Sequence, residues 1–252
     1  MSPRPHTGYF FLNTRVPPFD DPRLRRAVND AFDRDAFARI VGPAFAPTCQ
    51  ILPPNLPGYR RTCPYRGGVT GLDAARRRVR KSRTGAANVS VWVPAPLAEQ
   101  GRYMVSLLHA IGYRARLKVL PMRTYFARVL DSRSRAQVGY WGWAAEFPSP
   151  IDVVQPVFRC AGFVPASPQL SRDPSGFCDP KIDAQMEHAA ALQAQDPSAA
   201  NVLWQRIERE ILAQAPMVPT SNRRSVDFVA ARVGHYEYHP QWGVLLDELW
   251  VK

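Results

Sequence analysis

Between Val89 and Trp141 the sequence changes its hydrophobic period from strand to helix and back twice, and this alternation leaves few folds open. VSVWV (89–93) alternates with the period of two expected of a strand. LAEQGRYMVSLLHAI (97–111) then sets Leu97, Gly101, Val105, Leu108 and Ile111 along one helical stripe, with Gly112 as its stop. ARLKVL (115–120) alternates again, 122–131 carries Tyr125, Phe126, Val129 and Leu130 at helical spacing, and a strand follows at 137–141. Such a βαβαβ run predicts an α/β domain, a mainly parallel central sheet flanked by helices.

In open α/β sheets ligands bind beyond the carboxyl ends of the strands. GYWGWAAEFPSP (139–150) lies at such an end and sets one carboxylate, Glu146, among Tyr140, Trp141, Trp143 and Phe147 before Pro148 and Pro150 turn the chain. A carboxylate among aromatic rings is costly to ionise unless it is solvated or paired. Glu146 therefore either faces solvent or serves a cationic or hydrogen-bonding ligand. Trp141 and Trp143 read either as packing residues or as walls of a binding platform.

The flanks are punctuated by caps. YFFLN (9–13) reads as a short buried strand, Asp21 and Pro22 open a helix with Leu24, Ala27, Val28 and Ala31 on one face, and Asp33 caps a second, which Gly42 ends. After a helical turn at 151–158, helices are predicted from Pro180 to Ala194 and, capped by Asp196, from Pro197. MVPTS (217–221), VDFVA (226–230) and ELWVK (248–252) read as strands.

Four cysteines form two sequence-local pairs in Pro- and Gly-rich surroundings. Pairing Cys49 with Cys63 and Cys160 with Cys178 closes the shortest loops, and a disulfide would pin the long 43–71 connection. Free thiols remain an alternative; zinc sites usually take closer cysteine spacing. Disulfides imply an oxidising compartment. Yet no run of about 18 apolar residues is present, and MSPRPHTGYFF lacks the regions of a signal peptide, so the chain as written neither spans a membrane nor is exported. This conflict points to a segment missing before Met1.

The net charge of +12 comes from 33 basic residues, of which only four are lysines. The densest cluster, AARRRVRKSR (74–83), has Leu72, Ala75 and Val79 at helical spacing, which leaves its arginines on a solvated face; contact with nucleic acid or anionic lipid is the alternative. No glycine-rich phosphate loop, G-x-S-x-G elbow or H-E-x-x-H helix occurs, so no catalytic residue, metal or cofactor is expected. His235 and His239 stand in extended chain about 13 Å apart, too far for one ion.

Three stretches together resemble one known family. YFFLNTRVPPFDDPRLRRAVNDAFDRDAF (9–37), GWAAEFPSPIDVVQPVF, and CDPKIDAQMEHAAALQAQDPSAANVLWQRIEREILAQAPMVPTSN are similar to extracytoplasmic solute-binding proteins, family 5, of ABC transporters, the oligopeptide-, dipeptide- and nickel-binding receptors. The resemblance implies a periplasmic-binding-protein-like (type II) lobe and, specifically, the C-terminal one. Residues 1–8 would be a disordered start, 9–221 the ligand-binding lobe, and 222–252 a return segment toward an N-terminal lobe absent from this chain. It further implies a receptor without enzymatic activity, extracytoplasmic at full length, that closes on a small solute or peptide and delivers it to a membrane permease. In peptide-binding relatives an acid at the place of Glu146 pairs with the ligand's α-amino group beside a tryptophan matching Trp143. Glutamate in place of the usual aspartate adds a methylene that can shrink the pocket. Trp141, Phe147 and Asn13 complete the candidate ligand set. The competing reading is an arginine-rich binder of nucleic acid or anionic surfaces, with nucleic acid not expected on the resemblance.

Overall fold

The computed structural model describes residues 2–65 and 67–252. Strand β1 (Ser2–Leu12) is buried continuously from Thr7 to Leu12. The start expected to be disordered is thus strand: Ser2 stands opposite Ser225, and His6 opposite Ala144. Residues 2–8 show no apolar period of their own; pairing with β6 from Ser2 and with β5 from His6 satisfies their backbone and orders them. Met1 lies outside the described residues.

Helix α1 (Pro22–Ala31) begins where the Asp21 carboxylate accepts the Arg23 N–H, and α2 (Arg34–Val41) where Asp33 accepts from Ala36. After the short β2 (Phe45–Pro47) come α3 (Val69–Lys81), β3 (Asn88–Pro94) and α4 (Ala98–Ile111). Gly112 stops α4 in the left-handed region at φ +111°, where a side chain would be strained. Next are β4 (Arg114–Leu120), α5 (Met122–Leu130), β5 (Val138–Ala144) and α6 (Pro150–Phe158). The helices α7 (Pro180–Gln193) and α8 (Pro197–Gln214) lead to β6 (Met217–Ser225). Two-residue strands follow: β7 (Val233–Gly234), β8 (Tyr238–His239), β9 (Gly243–Val244) and β10 (Trp250–Val251).

The main sheet has the order β2-β6-β1-β5-β3-β4. β3 pairs in parallel with β4 and β5, as crossovers through α4 and α5 require, whereas β1 pairs antiparallel with β5 and β6, and β6 with β2. The fold is α/β with a mixed sheet; parallel pairing is confined to the stretch whose strand–helix alternation the sequence displays. On one face Phe10, Leu12 and Val91 of the sheet share a core with Val28 of α1, Val79 of α3 and Leu108 of α4. On the other, Tyr9, Phe11, Trp92 and Trp141 of the sheet share a core with Val154 of α6, Met186 of α7 and Trp204 of α8.

Cys49 is bonded to Cys63 and Cys160 to Cys178. The first loop is held a second time: the buried Glu208 on α8 accepts the N–H groups of Ile51 at 2.7 Å and Leu52 at 2.9 Å. VDFVA is not a strand. Its alternation has no partner to bury it, and Phe228 is 96% exposed. ELWVK keeps only Trp250 and Val251, paired with β7. Among the described residues no helix is long and apolar enough to cross a membrane.

Candidate functional site

β5 ends at Ala144, beside the start of β1 and the end of β6. The turn after it is fixed backbone by backbone: the Ala145 N–H donates to Pro5 at 2.7 Å, and the Ala145 carbonyl accepts from the Gln241 side chain. The Glu146 N–H donates to the buried Asp152 carboxylate, and Ser149 caps α6. With its backbone thus held, the Glu146 side chain is left exposed at the rim of the sheet. Phe147 beside it is half exposed.

The two tryptophans share a face of β5 but not an environment. Trp141 is buried, edge-on to Phe126 with ring centroids 5.1 Å apart, so it is a packing residue. Trp143, nearer the rim, is half-buried against the same core, and its indole N–H, like that of Trp141, is buried without a hydrogen-bond partner among the described residues. A buried donor left unpaired is costly, and a ligand acceptor would relieve it. Asn13 is not part of this site. Its amide donates to Ala136 at 2.9 Å and accepts the Arg15 N–H, bridging β1 to the approach of β5. It stands eight positions along the chain from Pro5, about 27 Å at strand rise.

The same end of the sheet carries His6 on β1 and Arg223 and Arg224 on β6, which the sequence does not single out because the start of β1 carries no pattern and the strand run MVPTS stops at Ser221. His6 lies over Gly142, where an added Cβ would come within 2.7 Å of its Nε2. Burial, reinforced by Arg223, lowers the His6 pKa to about 4, so the imidazole is neutral at neutral pH, and its Nδ1 has no partner among the described residues. Arg223 and Arg224 are exposed and line a cavity of about 420 Å³ with Pro3, Ala46, Pro54 and Asn222. Asn222 donates to Thr7 at 2.8 Å, locking β6 to β1 beneath it. This end of the sheet therefore carries a carboxylate able to take a cation, an indole N–H able to meet an acceptor and, on β6, guanidinium groups able to meet an anion. A further cavity of about 730 Å³ adjoins the disulfide-closed loop, lined by Thr48, Cys49, Cys63 and Tyr65.

Residues 1–164 match the model of the bacterial extracellular solute-binding proteins, family 5 Middle. A probable di/tripeptide-binding protein 5 of Pseudomonas aeruginosa is 26% identical over 244 residues, covering 93% of this chain and 44% of that protein. The glutathione-binding protein GsiB of Salmonella choleraesuis is 21% identical, covering 98% and 48%. Among solved structures, HbpA2 from Haemophilus parasuis superimposes with a TM-score of 0.84 at 19% identity, covering 99% of this chain and 49% of that one. The periplasmic binding protein DppA from Helicobacter pylori, in complex with the peptide STSA, superimposes with a TM-score of 0.83 at 17% identity, covering 99% and 48%. The chain thus spans about half the length of the relatives it matches.

Proposed function

The chain belongs to the bacterial extracellular solute-binding proteins of family 5, and on that premise we propose that it supplies one ligand-binding lobe of an ABC-transporter receptor for short peptides. The observation that carries this reading is that the end of β5 and the turn after it hold, three residues apart, the half-buried Trp143 with its unpartnered indole N–H and the exposed Glu146 carboxylate. Glu146 takes the ligand's ammonium group, Trp143 a carbonyl, and Phe147 an apolar side chain. The di/tripeptide- and peptide-binding relatives support peptide as the solute class.

In this reading the lobe is residues 2–225, extended from 9–221 to the ends of β1 and β6, and 226–252 is the return segment toward a second lobe. The ligand is enclosed by closure of the two lobes about a hinge, and the closed receptor delivers it to a membrane permease outside the cytoplasm. No covalent chemistry is involved.

The test is a titration of the isotope-labelled chain with tri-alanine, free and N-acetylated, followed by amide and indole NMR signals. The free peptide is expected to shift the Trp143 indole and the 144–149 amides. Acetylation, or Glu146→Gln, is expected to weaken binding at least about tenfold by removing a charge-assisted contact. Equal binding of the acetylated peptide, or shifts elsewhere only, would overturn the assignment.

A further inference from the structure

β4 closes one side of the main sheet: it pairs with β3 and, among the described residues, with no strand beyond it. The Arg114 N–H donates to the Ala87 carbonyl at 2.9 Å, on the β3 side, and in a parallel pair alternate residues turn both backbone groups toward the neighbouring strand. Ala115, Leu117 and Val119 therefore turn theirs outward. The Ala115 carbonyl meets His109 Nε2 at 2.8 Å, and among the described residues the backbone groups of Leu117 and Val119 have no other partner on that side. Such a row of unpaired N–H and C=O groups is a template for another strand.

The side chains select which strand is accepted. By the alternation of a strand, Arg114, Arg116 and Lys118 share one face of β4, and all three are exposed. Lys118 lies opposite Trp92 of β3, its ammonium 3.6 Å from the centre of the indole ring. Beside it opens a cavity of about 450 Å³, lined by Trp92, Lys118, Leu120, Arg128 of α5 and Ser134. No carboxylate lines it among the described residues, and there Arg116, Lys118 and Arg128 are in no ion pair. Asp131, after α5, lies within the field of Arg128 but is held by Arg133 at 2.8 Å.

We propose that the β4 edge binds an extended acidic segment of a partner protein, which adds to the sheet as a further strand and sets a carboxylate between Lys118 and Arg128. Backbone hydrogen bonds to Leu117 and Val119 hold the segment, and acids at alternate positions meet Arg116 and Lys118. A second copy of this chain does not fit. Two β4 edges side by side would set Arg116 and Lys118 of one against those of the other, and like charges across a strand pair repel. β4 stands two strands from β5, about 10 Å away. A segment on this edge therefore lies beside the Glu146 turn and leaves it open, and the inference does not depend on the ligand assigned there.

Titration of the isotope-labelled 252-residue chain with acetyl-Thr-Glu-Val-Glu-Val-Glu-amide, followed by amide NMR signals, tests it. The blocked ends leave the peptide no ammonium group for Glu146. The amides of Leu117, Val119 and Ser134 are expected to shift at about 50 mM salt, and binding to weaken at least about tenfold for acetyl-Thr-Lys-Val-Lys-Val-Lys-amide. Lys118→Gln/Arg128→Gln is expected to weaken binding of the acidic peptide at least about tenfold, while Arg206→Gln/Arg209→Gln, on α8, changes it less than about twofold. Val119→Pro removes an outward N–H and leaves the pairing with β3 intact, and is expected to weaken binding at least about fivefold. If Val119→Pro does not melt like the wild type, hydrogen exchange at Leu117 and Val119 of the wild type replaces it, with slowing by the peptide as the expected result. No binding of the acidic peptide, equal binding of the lysine peptide, shifts confined to 144–149, or a backbone that neither Val119→Pro nor exchange implicates would each overturn the proposal. Tighter binding of a single-stranded DNA oligonucleotide at the same salt would overturn it in favour of nucleic acid.

Discussion

Asp173 is fully buried in the loop closed by Cys160 and Cys178. One carboxylate oxygen accepts the Ser175 N–H at 2.7 Å and its hydroxyl at 2.6 Å; the other has no partner among the described residues. Burial raises its pKa to about 7, against the pull of Ser175, Phe177 and Arg15. Because the folded-state pKa lies above the unfolded one, the native state holds the proton more tightly. The stability this confers is full below about pH 4 and is lost as the pH rises to about 7, on the order of 2–4 kcal/mol. His6 slopes the other way in an overlapping window, since its lowered pKa makes stability fall as the pH drops from 6.5 toward about 4. The informative quantity is therefore the difference between wild type and Asp173→Asn in urea unfolding at pH 4.5 and 7.5. The variant is expected to gain on the wild type by about 2 kcal/mol or more at the higher pH. An unchanged difference between the two pH values would show that Asp173 titrates normally.

At the scale of elements, the 49–63 loop is held by a disulfide and by Glu208, and the two restraints act on the same backbone. Cys49→Ser/Cys63→Ser is expected to cost about 3 kcal/mol, as for closure of a loop of this length. Glu208→Ala is expected to cost about 2–3 kcal/mol by stripping two buried N–H groups of their acceptor. Removing both is expected to differ from the sum, because once the loop is free the N–H groups reach water; chemical unfolding of the four-protein cycle measures this coupling. Such local restraints also show which elements were legible in the sequence. From α3 to β5 each element displays its own period, since each buries one face against near neighbours in the chain, and Asp21, Asp33 and Asp196 mark helix starts by their own side chains. The first half of β1 was not legible because its order comes from β6, more than 200 residues away, through contacts such as Asn222 to Thr7. For the same reason the candidate residues Glu146 and Trp143 are visible in one local motif, whereas His6 and Arg223, set beside them only by strand pairing, are not, and Asn13 belongs to a motif whose turn serves to lock two strands.

At the scale of the whole molecule, the distribution of apolar surface is uneven. The main sheet is covered on both faces, yet the segment after β6 exposes Phe228 at 96%, Leu246 at 75% and Trp242 at 71%, with Val226, Trp250 and Val251 also exposed. This segment is joined to the rest by a few polar contacts, among them Gln241 to Ala145 and Tyr238 to Pro3. Aromatic side chains recurring along a thinly attached segment give contact area without a core to receive it, and such patches drive association. The proposed return segment and the proposed ligand rim meet at Ala145, so any partner covering these side chains also approaches Glu146. The chain by itself is expected to self-associate, its weight-average sedimentation coefficient rising over about a hundredfold range of concentration. Phe228→Ser/Leu246→Ser is expected to suppress that rise while leaving the melting temperature within about 2 °C, because both side chains are solvated and contribute little to the core. A sharp monomeric boundary for the wild-type chain at every concentration would mean that the exposed aromatics are too dispersed to act as one surface, and the reading of 226–252 as a lobe-joining segment would lose its physical basis.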